Sequence, residues 1–371
     1  MLLTHEQRML AESAGPFLAD QAGIKHLRAL RDAGDPLGYD RGLWRAFGEM
    51  GFAGILVDES HGGLGLGHVE AGLVLEEIGR TLTPSPFLAT AVGAATALAG
   101  AGAELKSAWL PRIATGDVTV ALALDEAERH RPYQVALRAE PTGDGFVLNG
   151  AKRLVVQGQA ADLLIVTART SAAANDDGDP TLFAVDPKTS GLTVETERLV
   201  DASLAAHLRL ERVKVAQSAV IGGDALEPLL AALRIGAAAE LVGIGAQAMD
   251  MTVAYLKERQ QFGRPIGSFQ ALQHRAAHLY AEMEMARAAV RKAQHLLGAG
   301  DPGAERAALV AKGMAGMASA LAVQEGVQMH GGIGMTDEYD IGLYMKRQRV
   351  LAELFGDSDY AADRLAQLSG Y

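Results

Sequence analysis

The sequence contains no cysteine among its 371 residues. This absence excludes disulfide bonds, thiol nucleophiles and metal sites built from thiolates. The ten histidines show neither an H-E-x-x-H pair nor another spacing typical of metal ligands, and the chain has no G-x-S-x-G nucleophile elbow. The sequence therefore predicts neither a metal enzyme nor a serine hydrolase.

An excess of positive charge and long apolar runs are also missing. Lys and Arg number 34 against 45 Asp and Glu, so the formal net charge is −11, which disfavours general nucleic-acid binding. No apolar run reaches the roughly 18 residues that cross a bilayer, and charges appear early in the N-terminal segment, unlike in a secretory signal. We expect a cytoplasmic protein that binds neither nucleic acid nor a membrane.

The hydrophobic period divides the chain into three segments. Residues 4–116 repeat apolar side chains at helical spacing, residues 118–222 contain short β-rich runs, and long apolar or amphipathic helices follow from residue 226. These patterns predict an α+β protein in which a middle β domain, barrel-like or a sandwich, lies between helical domains, the last of them a helical bundle. The predicted domains are residues 1–117, 118–222 and 223–371.

Two loops carry polar or glycine-rich sequence. Asp58–Gly67 contains four glycines, and we favour a turn between helices over a direct role in binding a ligand. Asn175–Pro180 contains three aspartates, and we expect an exposed connection between strands rather than a metal site.

The segment Glu258–Gln270, ERQQFGRPIGSFQ, ends one helix and begins the next. Gly263 and Pro265 break the first helix, which leaves Arg259 near its C-terminus and Phe262 in the turn. Arg binds phosphate in a bidentate manner, and an aromatic ring offers an apolar face to a heterocycle, so this pair suits a diphosphate ligand. Alternatively, Arg259 interacts only with the last carbonyls of its helix.

The segment Gln328–Met335, QMHGGIGM, has three glycines in four positions. It is not a G-x-G-x-x-G motif and follows a helix rather than a strand, which disfavours a Rossmann phosphate loop. A glycine turn that ends a helix is an equally good explanation of the segment taken alone.

In this order, the two segments resemble the acyl-CoA dehydrogenase family, and GFAGI at 51–55 and LEEIGR at 75–80 extend the resemblance over nearly the whole chain. The resemblance implies helical, β and four-helix-bundle domains, assembly into dimers of dimers, and FAD at a subunit interface. It also implies that the chain holds the diphosphate and adenosine half of a FAD bound mainly by the neighbouring subunit, through Arg259, Phe262 and Gln270, with Gln328, Gly331 and Gly332 beside the same half.

The chain departs from the family at the catalytic base. The family reaction removes the α-proton with a glutamate while flavin N5 accepts the β-hydride, and here Phe355 occupies the usual glutamate position. Leu233 occupies the position that a minority of members use. Glu240 lies two helical turns further on with no basic residue three or four positions away, and a buried, unpaired carboxylate suits a general base. Alternatively, Glu240 is bonded across an interface.

The segments that match the family's flavin-contacting residues also differ. The chain has Leu124–His130 in place of a Thr-Glu-Pro-like turn and Leu154–Val156 in place of Trp-Ile-Thr or Trp-Ile-Ser. Leucine cannot stack like an indole, and Val156 offers no hydroxyl. The sequence resembles the small, non-catalytic subunits of bacterial α2β2 acyl-CoA dehydrogenases of steroid or dicarboxylate degradation, which often carry Phe-Gly-Asp as at 355–357.

The resemblance thus predicts a heterotetramer with a second acyl-CoA dehydrogenase-like chain, an acyl-CoA substrate, and an electron-transfer flavoprotein or similar acceptor. The small residues Gly236–Ala239 suggest a bulky acyl group or, equally, tight helix packing. Two alternatives stay open. One is a self-sufficient homotetramer with Glu240 as base, and the other is a flavin-free scaffold subunit of the same fold.

Overall fold

The computed structural model of the protein describes residues 3–170 and 180–371, so Asn175–Asp179 of the polar loop lie outside the described residues. The helices are α1 (His5–Gln21), α2 (Ile24–Ala33), α3 (Arg41–Glu49), α4 (His68–Thr81), α5 (Ala95–Ala99), α6 (Ala103–Ala114), α7 (Leu226–Glu258), α8 (Gln270–Gly298), α9 (Ala304–His330), α10 (Ile341–Glu353) and α11 (Ser358–Leu368). The strands are β1 (Val120–Ala123), β2 (Arg138–Pro141), β3 (Gly145–Val156), β4 (Leu163–Thr170), β5 (Pro180–Val185), β6 (Leu192–Arg198), β7 (Leu204–Ala216), β8 (Val220–Gly222), β9 (Gln260–Gln261) and β10 (Arg264–Pro265).

The described chain forms two compact units. The helical unit combines Arg234–Tyr371 with Gly72–Thr83 and the chain up to Ala29, and the sheet unit combines Leu30–Ala71 with Pro84–Leu233.

In the helical unit, the backbones of α4 and α7 touch. A Cβ atom added to Gly79 would lie 2.1 Å from the carbonyl oxygen of Glu240, and one added to Gly243 would lie 1.9 Å from that of Glu76. Only glycine permits such an approach. This contact explains why part of α4, far from α7 in the sequence, belongs to the same unit.

The sheet unit is built on one mixed sheet of eight strands in the order β6-β7-β3-β2-β4-β5-β8, with β1 paired parallel to β4. Its long strands β3 and β7 pair antiparallel. Leu148, Val166, Phe183 and Leu208 are among the buried side chains of its core, as expected from strands rich in β-branched, aromatic and leucine residues.

Two helical segments, Leu226–Glu258 and Ala304–Met335, are long and apolar enough to span a membrane by length and composition. The most apolar window of α7 is entirely buried inside the protein, which is the environment of a core helix.

The predicted glycine-rich loop at Asp58–Gly67 packs against the chain that precedes it, since the backbone N–H groups of Leu64 and Gly65 donate to the carbonyls of Gly54 and Val57.

Candidate cofactor-binding site

A short hairpin joins α7 to α8. Gln260–Gln261 pair antiparallel with Arg264–Pro265, and the two residues of the turn, Phe262 and Gly263, have φ values of +52° and +75°. Two positive φ values are the signature of a type I′ turn, which is unusual for phenylalanine. The Phe262 side chain is 90% exposed. Backbone strain and an exposed ring are both unfavourable in the isolated chain, and both are typical of a binding site.

Arg259 and Gln270 flank this hairpin on its two sides. The Arg259 carbonyl accepts a hydrogen bond from the Ile266 backbone N–H at 2.8 Å, which closes the base of the hairpin. Both side chains are exposed, and neither forms an ion pair or side-chain hydrogen bond with the residues that the structure describes. Their polar groups are therefore available to a ligand.

The glycine turn follows the C-terminus of α9. Gly331 has φ +64° and ψ −139°, a conformation open essentially to glycine alone. A Cβ atom on Gly334 would lie 2.8 Å from the Val327 carbonyl oxygen, so the chain itself requires that glycine. Gly332 differs, because a Cβ atom there would meet nothing within 4 Å and its φ is not positive. No contact within the described chain explains glycine at position 332.

Contacts between helices place the hairpin and the glycine turn at the same end of the helical unit. The ring of Tyr255, in the last turn of α7, stacks on His330 with centroids 4.6 Å apart, and Arg275 of α8 is ion-paired with Glu325 of α9 at 2.5 Å. The six predicted cofactor-binding residues all lie exposed at this end: Arg259, Phe262, Gln270, Gln328, Gly331 and Gly332.

His330 anchors the glycine turn and was not identified from the sequence. Its Nδ1 lies 2.6 Å from the Gly326 carbonyl oxygen, so Nδ1 carries the proton, and Nε2 accepts from the Tyr339 hydroxyl at 2.9 Å. Burial lowers the pKa of His330, partly opposed by the bond to Gly326, and burial raises the pKa of Tyr339. The imidazole is thus held neutral, in one tautomer, directly before Gly331.

At Phe355, which the resemblance aligns with the family's base, hydrogen bonds hold the backbone in place. Phe355 has φ +62°, and its carbonyl accepts from Nε of the fully buried Arg234 at 3.3 Å. Lys312 is buried as well, and its Nζ donates to the carbonyls of Ala352 at 2.8 Å and Gly356 at 2.9 Å. The Phe355 side chain accepts no proton, and the backbone carbonyls on both sides of it are bound by Arg234 and Lys312.

Lys312 makes stability depend on pH. Burial lowers its pKa to about 7 from an ordinary value of 10.5. Between these values the unfolded chain binds one proton more than the native protein, so stability rises with pH. We expect the free energy of unfolding, relative to that of Lys312→Met, to rise by about 1 kcal/mol per pH unit from pH 7.5 to 9.5, measured by urea denaturation. A difference that is constant across this range would contradict the assignment.

The expectation that Glu240 is unpaired is wrong. Its Oε1 lies 2.8 Å from Nε and 2.7 Å from Nη2 of Arg347, and the Glu240 side chain is 4% exposed. The partner lies on α10, more than 100 residues from Glu240 in the sequence. The ion pair removes the observation that made Glu240 a candidate base. Leu233, the other position considered, is a fully buried aliphatic side chain.

Polar contacts hold the segment Leu124–His130, which the resemblance aligns with the family's flavin-contacting turn. Asp125 accepts from the Arg131 backbone N–H at 2.8 Å and pairs with His130 at 2.8 Å. Glu126 pairs with the buried Lys152 at 2.7 Å, and burial lowers the pKa of that ammonium while Glu126 opposes the shift. The turn is thereby stabilised by its own polar contacts.

The following residues of β3 are aliphatic. Leu154 lies at a bulge with φ +52°, Val155 is in the core, and Leu154 and Val156 are partly exposed. Their exposed surfaces offer methyl groups, with neither a ring to stack on a flavin nor a hydroxyl to bond to it.

Comparisons with known proteins cover the whole length of the chain. Family models match as "Acyl-CoA dehydrogenase, N-terminal domain" at residues 4–117, "middle domain" at 127–213 and "C-terminal domain" at 222–369. Acyl-CoA dehydrogenase IpdE2 of Mycolicibacterium smegmatis is 33% identical over 355 residues, covering 95% of this chain and 96% of the relative.

Two similar solved structures have names made of two components. A variant of the Tcur3481-Tcur3483 steroid ACAD is 32% identical with a TM-score of 0.91, covering 98% of both chains. The ChsE4-ChsE5 complex from Mycobacterium tuberculosis is 27% identical with a TM-score of 0.91, covering 100% of this chain and 98% of that one. The predicted fold class, with helical domains on either side of a sheet domain in the sequence, is confirmed, as is the resemblance to the acyl-CoA dehydrogenases.

Proposed function

The chain belongs to the acyl-CoA dehydrogenase family, and we propose on that basis that it is the non-catalytic subunit of a heteromeric enzyme. In this proposal the complex introduces an α,β double bond into a bulky, steroid-derived acyl-CoA and passes electrons to an electron-transfer flavoprotein or a similar acceptor. This chain contributes the ADP side of the FAD site, and a second acyl-CoA dehydrogenase-like chain contributes the flavin pocket and the base. The steroid assignment is supported by the similarity to a steroid ACAD.

The observation that carries the proposal is the contrast between the two half-sites. At one end of the helical unit, Arg259, Phe262 and Gln270 are exposed, the polar side chains lack partners in the described structure, and Gly332 leaves open space. At the base position stands Phe355, and the one buried carboxylate considered in its place, Glu240, is held by Arg347. These residues fit the adenosine diphosphate of FAD and not its reactive ring.

Three residues of the ADP half contact the ligand in this proposal. Arg259 binds the diphosphate through charge-assisted hydrogen bonds, Phe262 packs on the apolar part of the nucleotide, and Gly332 leaves room for the ligand beside the backbone. His330 holds the glycine turn in place. FAD, when bound, supplies the hydride acceptor for the dehydrogenation. Position 355 of this chain supplies no side chain that could accept the α-proton.

Co-expression with an acyl-CoA dehydrogenase chain encoded beside it tests the proposal. We expect colourless protein when this chain is expressed alone, and a co-purified complex with about half a FAD per chain, counted by flavin absorbance against protein. One FAD per chain from this protein alone would overturn the proposal in favour of the homotetramer. A colourless complex with every neighbouring partner would overturn it in favour of a flavin-free scaffold.

Arg259→Ala in the complex is expected to weaken FAD binding about tenfold, because a charge-assisted hydrogen bond to the diphosphate is lost. Titration of the deflavinated complex with FAD measures the effect. Arg209→Ala is the matched control, since Arg209 is an exposed arginine of β7 that pairs with Glu211. Equal dissociation constants for the two variants would contradict the role of Arg259.

A further inference from the structure

Arg264, the first residue of β10, is held against an aromatic ring. Its guanidinium carbon lies 4.1 Å from the centroid of the Phe269 ring. The same ring is in edge-to-face contact with Phe262, with centroids 6.0 Å apart and an interplanar angle of 88°. Phe269 therefore orients both the exposed ring at the tip of the hairpin and the guanidinium beside it.

This contact restrains Arg264 without using its hydrogen-bond donors. A guanidinium over a ring is attracted through its face, whereas its N–H groups point outward in its own plane. Arg264 is exposed and forms no ion pair or side-chain hydrogen bond with the described residues. The N–H donors of Arg264 thus lie on a side chain whose conformational freedom is already reduced, and this lowers the conformational entropy lost when a ligand binds.

The charge of Arg264 is also uncompensated. Arg259, at the base of the same hairpin, likewise lacks an acidic partner in the described structure, and Glu258, the last residue of α7, pairs with neither arginine. The whole chain has a formal net charge of −11. Two arginines on the six-residue segment Arg259–Arg264, neither with a carboxylate partner among the described residues, suit a ligand with two neighbouring negative charges.

We propose that Arg264 is a second guanidinium ligand for a nucleoside diphosphate, acting beside Arg259 and oriented by Phe269. The inference rests on the proposed function and extends it to a residue that the family resemblance did not assign. FAD and coenzyme A both contain an adenosine diphosphate unit, so both are tested as sources of the diphosphate.

The test uses the co-purified, deflavinated complex and two substitutions. Arg264→Gln removes the charge, and Arg264→Lys keeps the charge but loses the planar fork. We expect the dissociation constant for FAD to rise about tenfold in Arg264→Gln and less in Arg264→Lys. The dissociation constant of the wild-type complex for FAD should also rise more steeply with salt than that of Arg264→Gln, because the variant has one charge contact fewer for salt to screen. Arg209→Gln is the control.

The outcomes separate this inference from the proposed function. If Arg259→Ala weakens FAD binding and Arg264→Gln weakens binding of neither FAD nor coenzyme A, only the role of Arg264 is overturned. If neither variant weakens binding of either ligand, the proposed function fails as well. Weaker binding of coenzyme A with unchanged binding of FAD would support the diphosphate contact and identify coenzyme A as its source. Loss of the complex in size-exclusion chromatography of Arg264→Gln would instead make Arg264 an interface residue and overturn the proposal.

Discussion

Replacing Arg347 with methionine is expected to lower the free energy of unfolding by about 3 kcal/mol. The side chain of Glu240 is 4% exposed and that of Arg347 25%, so the substitution leaves a carboxylate inside the protein without its cation. The cost arises mainly from the stranded charge rather than from the lost attraction. Urea denaturation of the purified protein measures the change.

Arg349→Met is the matched control for this prediction. Arg349 lies on the same helix and pairs with Glu353 at 3.2 Å, but their side chains are 75% and 51% exposed. Surface pairs of this kind contribute little, so we expect a loss below about 1 kcal/mol. Similar losses in the two variants would show that Glu240 is not buried against Arg347.

A double substitution isolates the charge. Glu240→Leu combined with Arg347→Met removes both members of the ion pair and leaves apolar side chains of similar size, and such replacements of buried pairs are often neutral. We expect the double variant to be more stable than Arg347→Met alone. The same variant bears on the homotetramer alternative, which requires the Glu240 carboxylate for dehydrogenation.

Replacing Gly243 with valine is expected to lower the free energy of unfolding by about 4 kcal/mol, or to abolish folding. Any Cβ atom at this position would lie 1.9 Å from the carbonyl oxygen of Glu76. The obstacle is backbone, which cannot rotate away as a side chain does, so α4 and α7 must separate. Soluble yield and urea denaturation measure the outcome.

Gly316→Ala is the control for glycine in a helix. Gly316 lies within α9, where an added Cβ atom would meet nothing within 4 Å. Alanine has the higher helix propensity, so this variant is expected to gain up to about 1 kcal/mol. If Gly243→Val were as stable as the wild-type protein, the close approach of α4 and α7 would be contradicted.

Sequence reasoning was most successful where the signal is local. The change of hydrophobic period at Val118 and again near Leu226 marks where helices give way to strands and return, since each element must turn its apolar side chains towards a core. The helix break at Gly263 and Pro265 likewise follows from residue chemistry alone. The precise course of the hairpin did not, because a positive φ at Phe262 is imposed by pairing of the flanking residues.

The candidate site shows where local reasoning ends. Glu240 lacks a basic neighbour on its own helix, and its partner comes from α10, so the prediction of an unpaired carboxylate failed for lack of tertiary information. A charged residue in an otherwise apolar helix is the signal that could have identified Arg234 and Lys312. It does not reveal that both bind the carbonyls around Phe355.

The sequence by itself determined the class of fold and the family, because these follow from periodicity and from motifs that are local in the chain. The tertiary structure alone decided which charges are neutralised. It pairs Glu240 with Arg347, and it gives Arg259 and Arg264 no acidic partner among residues 3–170 and 180–371. The physical reason is that electrostatic partners are set by distance in space, which helix packing brings about between residues far apart in the chain.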